Sequence, residues 1–115
     1  MATRGRDYAP AEPTIGLTGV VYLLHFDRRF QHAAHYTGWA LDLDSRMTEH
    51  ARGRGARLTA VVLAAGIGWT LARTWDGDRY LERRIKNRGS AVRQCPVCRG
   101  EVDPSVLPHY GEVAA

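Results

Sequence analysis

The sequence predicts an α+β domain: a small three-stranded antiparallel sheet flanked by helices. Two β-rich stretches, around Val20–Phe26 and Ala34–Trp39, lie one polar turn apart and read as a hairpin. A third stretch alternates Ile67, Trp69 and Leu71 against Gly68, Thr70 and Ala72, the period of a half-buried strand. Between and after these, apolar residues recur at three to four positions behind aspartates that suit helix starts. At 115 residues the chain is long enough for one domain, burying roughly two-thirds of its unfolded surface.

Residues 1–18 read as a flexible leader, because Met1 to Thr14 is polar, holds Pro10 and Pro13, and has no apolar period. The domain proper spans residues 19–90. Its first strand is Gly19 to Phe26, Asp27 to Ala33 forms a polar turn longer than the tight two-residue types, and Ala34 to Trp39 returns antiparallel. Asp42 or Asp44 caps a helix running to about Arg52, with Gly53 as its stop and Leu43, Met47 and Ala51 as its apolar stripe. Arg46 and His50 form a parallel row beside that stripe. Leu58 to Ala65 reads as a second short helix, and Ile67 to Trp75 as the third strand. A last helix covers roughly Arg79 to Arg88 and ends at Gly89, with Leu81 and Ile85 inward and Glu82 and Lys86 on the next row. Residues 91–115 form a tail containing Cys95-Pro-Val-Cys98.

Charge is distributed unevenly. Residues 1–45 hold four arginines against five acids, residues 46–99 hold twelve basic residues against four acids, and residues 100–115 hold three acids alone. The middle segment therefore carries +8 of a chain whose net charge is +4. That concentration is the footprint of a polyanion binder, and DNA is the expected partner, with Arg54, Arg57, Arg83 and Arg84 as contacts. Fifteen arginines against one lysine also carry the stamp of codon bias. No apolar run spans a bilayer, since Leu58 to Trp69 is too short and is interrupted by Gly66 and Gly68. Arg4 and Arg6 are followed by no apolar stretch of a secretory signal, so a cytoplasmic location without a membrane partner is expected.

The residues suited to chemistry come in a particular order. Tyr22 sits in Val-Val-Tyr-Leu-Leu and Tyr36 in Tyr-Thr-Gly; Arg46 and His50 follow four apart on a helix, then Glu82 and Lys86 four apart on another. Phosphodiester hydrolysis needs a proton acceptor for water, a carboxylate for a metal ion and a guanidinium for phosphate charge. Each member alone has a plainer reading: strand tyrosines pack amphipathically, an i,i+4 Glu/Lys pair decorates a surface, and an arginine stem lies along a neighbouring methionine.

Taken together, these residues resemble the GIY-YIG nuclease superfamily over about Gly19 to Lys86. Val20-Val21-Tyr22 is similar to the first motif strand, with Gly19 one place early. Tyr36-Thr37-Gly38 resembles the second motif strand, Asp44-Ser-Arg46-Met-Thr-Glu-His50 the arginine-bearing helix, and Gly53-Arg-Gly-Ala56 the turn after it. Leu81-Glu82-Arg-Arg-Ile-Lys86 resembles the helix of the metal-binding glutamate. The late asparagine that several members use has no counterpart, because Asn87 follows Glu82 too closely.

The resemblance implies a divalent-metal-dependent DNA endonuclease. Glu82 would bind Mg²⁺ or Mn²⁺, Arg46 would hold the scissile phosphate, and Tyr22 would act as or assist the general base. Tyr36 would position that base or the water, His50 would orient Tyr22 or contact phosphate, and Lys86 would neutralise phosphate or tune Glu82. The alternative is a non-catalytic nucleic-acid-binding module that keeps the fold and the arginine face. His25, His32 and His35 read as ordinary strand and loop residues. Cys95 and Cys98 read by default as reduced thiols; the alternative is a structural Zn²⁺ site with His109 as the nearest further ligand, or one completed by a second chain. A redox dithiol fits less well, since no thioredoxin-like strand precedes the pair.

Overall fold

A computed structural model describes residues 17–89 and 91–111; the expected leader lies outside them up to residue 16. The architecture is α+β. An antiparallel sheet runs in the order β2-β1-β3-β4, built from β1 (Gly19–Phe30), β2 (Ala33–Ala40), β3 (Trp69–Gly77) and β4 (His109–Tyr110). Helices α1 (Leu43–Ala51) and α2 (Arg57–Ala64) join β2 to β3, and α3 (Arg79–Asn87) and α4 (Ala91–Gln94) follow β3.

Among the described residues the sheet has four strands rather than three. β4 is two residues long, with Trp69 opposite Tyr110 and Thr70 opposite His109, so no periodic pattern announces it. Residues 91–111 pack on the sheet: Cys95 is 0% exposed against Leu23 and Ala72, and the Leu71 N–H donates to the Pro108 carbonyl.

The first hairpin also departs from expectation. β1 continues to Phe30, and Gln31 and His32 alone make the turn, with Gln31 at φ 56°. Asp27, Arg28 and Arg29 are exposed within β1, in the stretch between His25 and Phe30 where the pairing with β2 is irregular. Register runs from Val20 opposite Ala40 to His25 opposite His35, then slips before Phe30 meets Ala33.

Alternation along β1 divides the core into two layers. Tyr22, Leu24 and Phe26 join Met47, Val62 and Trp69 under α1 and α2. Val21 meets Trp39 and Ile85 under α3, while Leu23 meets Ala72 and Cys95. Burial of such side chains contributes about 1.5–3 kcal/mol each. The caps are local: Asp42 Oδ1 accepts from the Ser45 N–H at 3.1 Å and Asp78 Oδ1 from the Leu81 N–H at 3.1 Å. These caps fix the starts of α1 and α3, and with them the directions of Arg46, His50, Glu82 and Lys86. Among the described residues, no helix is long and apolar enough to cross a membrane.

Candidate functional site

Tyr22, Tyr36, Arg46, His50, Glu82 and Lys86, drawn from β1, β2, α1 and α3, gather along the β2 side of the sheet. The Tyr22 hydroxyl donates to His50 Nε2 at 2.6 Å. His50 Nδ1 lies 2.8 Å from Thr59 Oγ1, whose own hydroxyl donates to the Ala56 carbonyl at 3.0 Å. With that proton spent on Ala56, Thr59 receives the Nδ1–H, which leaves the Nε2 lone pair for Tyr22. Thr59 and α2 thus set the histidine tautomer. Tyr36 stacks edgewise on His50 at 5.4 Å and tilts against Tyr22 at 6.2 Å.

Two glycines permit this packing. A Cβ on Gly38 would run into the Tyr22 hydroxyl, and one on Gly55 would run into the His50 ring. The Gly in Tyr-Thr-Gly is therefore required by the close approach of Tyr22.

The electrostatics follow from burial. Tyr22 and His50 are each 1% exposed. Burial raises the Tyr22 phenol well above its ordinary range; Tyr36 adds to the rise and Arg46 opposes it. His50 is pushed down to about 4 by burial and then by Arg46, so it is neutral at pH 7. Tyr36 is raised by burial, opposed by the Lys86 ammonium and assisted by Glu82. Lys86 Nζ lies 6.0 Å from the Tyr36 ring centroid and 3.1 Å from Glu82 Oε2, whose side chain is 15% exposed. Arg46 pairs with Glu49 at 3.1 Å and lines a cleft of about 280 Å³ with Trp39, Asp42 and Arg79.

Several residues stand where the sequence did not put them. His50, expected to orient Tyr22 or contact phosphate, is enclosed and hydrogen-bonded to Tyr22. Thr59 was missed, although a threonine nine residues after a helical histidine carries no motif. Arg54, Arg57, Arg83 and Arg84 are all exposed, and among the described residues none of the four forms an ion pair.

On the other face, four ligand atoms converge. His25, His35, Cys95 and Cys98 each place one nitrogen or sulfur within 4.8 Å of all the others, a group able to hold a metal ion. His25 and His35, read as ordinary strand residues, therefore belong with the cysteines. His109 does not: its Nε2 bonds the Asp27 carboxylate at 2.9 Å. The missed signal was register, since an antiparallel hairpin pairs His25 with His35 on the face that receives the tail. Between the two sites lies a cavity of about 220 Å³ lined by Leu23, His35, Tyr36, Thr37 and Lys86 among others.

Comparison with protein-family models, with curated proteins and with solved structures gave no match for this chain.

Proposed function

We propose that this chain is a divalent-metal-dependent endonuclease that hydrolyses DNA phosphodiester bonds, a small member of the GIY-YIG superfamily. The observation that carries the reading is the convergence of six side chains, from four separate elements, around one tyrosine–histidine hydrogen bond.

Neutral His50 accepts the Tyr22 proton while Tyr22 takes one from the attacking water, so a phenolate need never accumulate. A raised phenol would otherwise stay protonated at neutral pH. Tyr22 is 1% exposed, so the reading requires substrate binding to uncover its oxygen. Tyr36, half-buried on the edge strand, holds the water beside it. Arg46 exchanges Glu49 for the scissile phosphate, whose developing charge its planar fork offsets.

Glu82 fits Mg²⁺ or Mn²⁺, as a single half-buried carboxylate whose present partner, Lys86, is free to turn to phosphate. A divalent ion there supplies stabilisation of charge on the leaving oxygen. The thiol and imidazole group on the other face suits a softer ion such as Zn²⁺. Exposed Arg54, Arg57, Arg83 and Arg84 serve as contacts to the DNA backbone.

A panel of duplex, nicked, flapped, forked and single-stranded DNA, incubated with Mg²⁺ or Mn²⁺, tests the reading. Metal-dependent cleavage of at least one substrate is expected. DNA binding without cleavage of any would assign the non-catalytic module instead.

A further inference from the structure

We propose that His25 Nδ1, His35 Nε2, Cys95 Sγ and Cys98 Sγ hold a tetrahedral Zn²⁺ ion that pins residues 91–111 to the β1–β2 hairpin. The argument begins with a count of bonds. His25 Nδ1 lies 3.3 Å from His35 Nε2, 3.5 Å from Cys95 Sγ and 3.5 Å from Cys98 Sγ. A ring nitrogen carries one N–H or one lone pair, so hydrogen bonding accounts for only one of these three approaches. A cation at the common centre satisfies all of them at once.

The spacing fits that ion. Zinc bound at about 2.3 Å to sulfur and about 2.0–2.1 Å to nitrogen separates tetrahedral S and N ligands by about 3.5 Å, and two nitrogens by about 3.3 Å. The two nitrogens stand 3.3 Å apart, three of the four S···N separations are 3.5, 3.5 and 3.3 Å, and every pair of the four atoms lies within 4.8 Å. Two sulfurs and two imidazoles in a tetrahedron select zinc over the oxygen-preferring Mg²⁺ and Ca²⁺. Four protein ligands close the shell and leave no position for water, the mark of a structural site.

The topology explains what the ion would fasten. His35 lies on β2, which among the described residues is an edge strand paired only to β1, and His25 faces it across the ladder. The Cys95–Cys98 turn comes from residues that join the sheet mainly through the two-residue β4 and the burial of Cys95. Binding releases the two thiol protons to solvent and replaces weak packing by four coordinate bonds.

Elemental analysis of the full chain, purified without chelator or added metal, tests the site. One zinc per chain is expected, and Co²⁺ exchanged into the protein should give a thiolate-to-cobalt charge-transfer band. His35→Ala and Cys98→Ser should each bind zinc at least about tenfold more weakly than wild type in chelator competition, since losing even an outer-shell partner costs about 10–100-fold in affinity. His109→Ala should retain it like wild type. Should the ligand variants fold poorly, wild type alone decides: zinc should shield both thiols from an alkylating reagent, and chelation should expose Cys98 first. Thiols that react equally with and without zinc would overturn the proposal. So would His35→Ala that keeps its metal as firmly as wild type, or a Cys95–Cys98 disulfide that binds no zinc after reduction. None of these readouts involves DNA, so failure of the nuclease reading is separately visible.

Discussion

Protonation of His50 should loosen the fold, and its size can be worked from the site. The ring is 1% exposed, with Tyr22 on one nitrogen, Thr59 on the other and Arg46 adding positive charge nearby. Its pKa lies at about 4 in the folded chain against 6.5 for an ordinary histidine. A depressed folded pKa means that the unfolded chain binds the proton more tightly between these two values. The stabilising contribution is therefore complete above pH 6.5 and is lost as pH falls towards 4. Linkage gives about 2 kcal/mol lost between pH 7.5 and pH 5, and about 3 kcal/mol in all. Urea unfolding of wild type and His50→Gln at the two pH values isolates this term, because every other titrating group is common to both proteins. The variant's loss should be smaller than wild type's by about 2 kcal/mol. Equal losses in the two proteins would refute the assignment of His50 as a buried neutral acceptor.

Other expectations follow from the same geometry. Tyr22→Phe strands the buried Nε2 of His50, so it should cost about 1–3 kcal/mol in urea unfolding as well as impair cleavage; unchanged stability would show that the hydrogen bond is worth little. Arg46→Ala should lower the cleavage rate by roughly 10²–10³ while leaving the fold intact, since among the described residues the side chain pairs only with exposed Glu49; single-turnover kinetics would register it. Neutralising Arg83 or Arg84, both exposed on α3, should flatten the salt dependence of DNA affinity by about one unit per lost phosphate contact, measured by titration at several salt concentrations.

Helix positions were legible because their punctuation is local. Asp42 and Asp78 cap α1 and α3 as aspartates before an apolar stripe should, and Met47 and Ile85 point inward from those stripes. The hairpin was legible as a hairpin but not in its length. Asp27-Arg-Arg looks like a loop to any reading that equates polarity with turns, whereas here those residues are the exposed, irregularly paired part of β1. β4 escaped because two residues carry no period. Within the site, the sequence shows which side chains are suited to chemistry but not which are enclosed. Nothing local says that His50 would be buried between Tyr22 and Thr59, because α2 supplies the threonine from across the turn. The histidines of the second cluster were hidden for the same reason: their partners arrive some 60 to 70 positions later in the chain.

The central claim is that Glu82 holds a catalytic metal ion beside a DNA phosphate. Its most direct test is DNA cleavage by wild type and Glu82→Ala in Mg²⁺ and Mn²⁺, with DNA affinity measured alongside. Removing one carboxylate near the phosphate site should leave affinity unchanged or stronger, while cleavage falls to background in either metal. Glu82→Ala that cleaves as fast as wild type would contradict the account, placing the metal elsewhere and undoing the reading of α3.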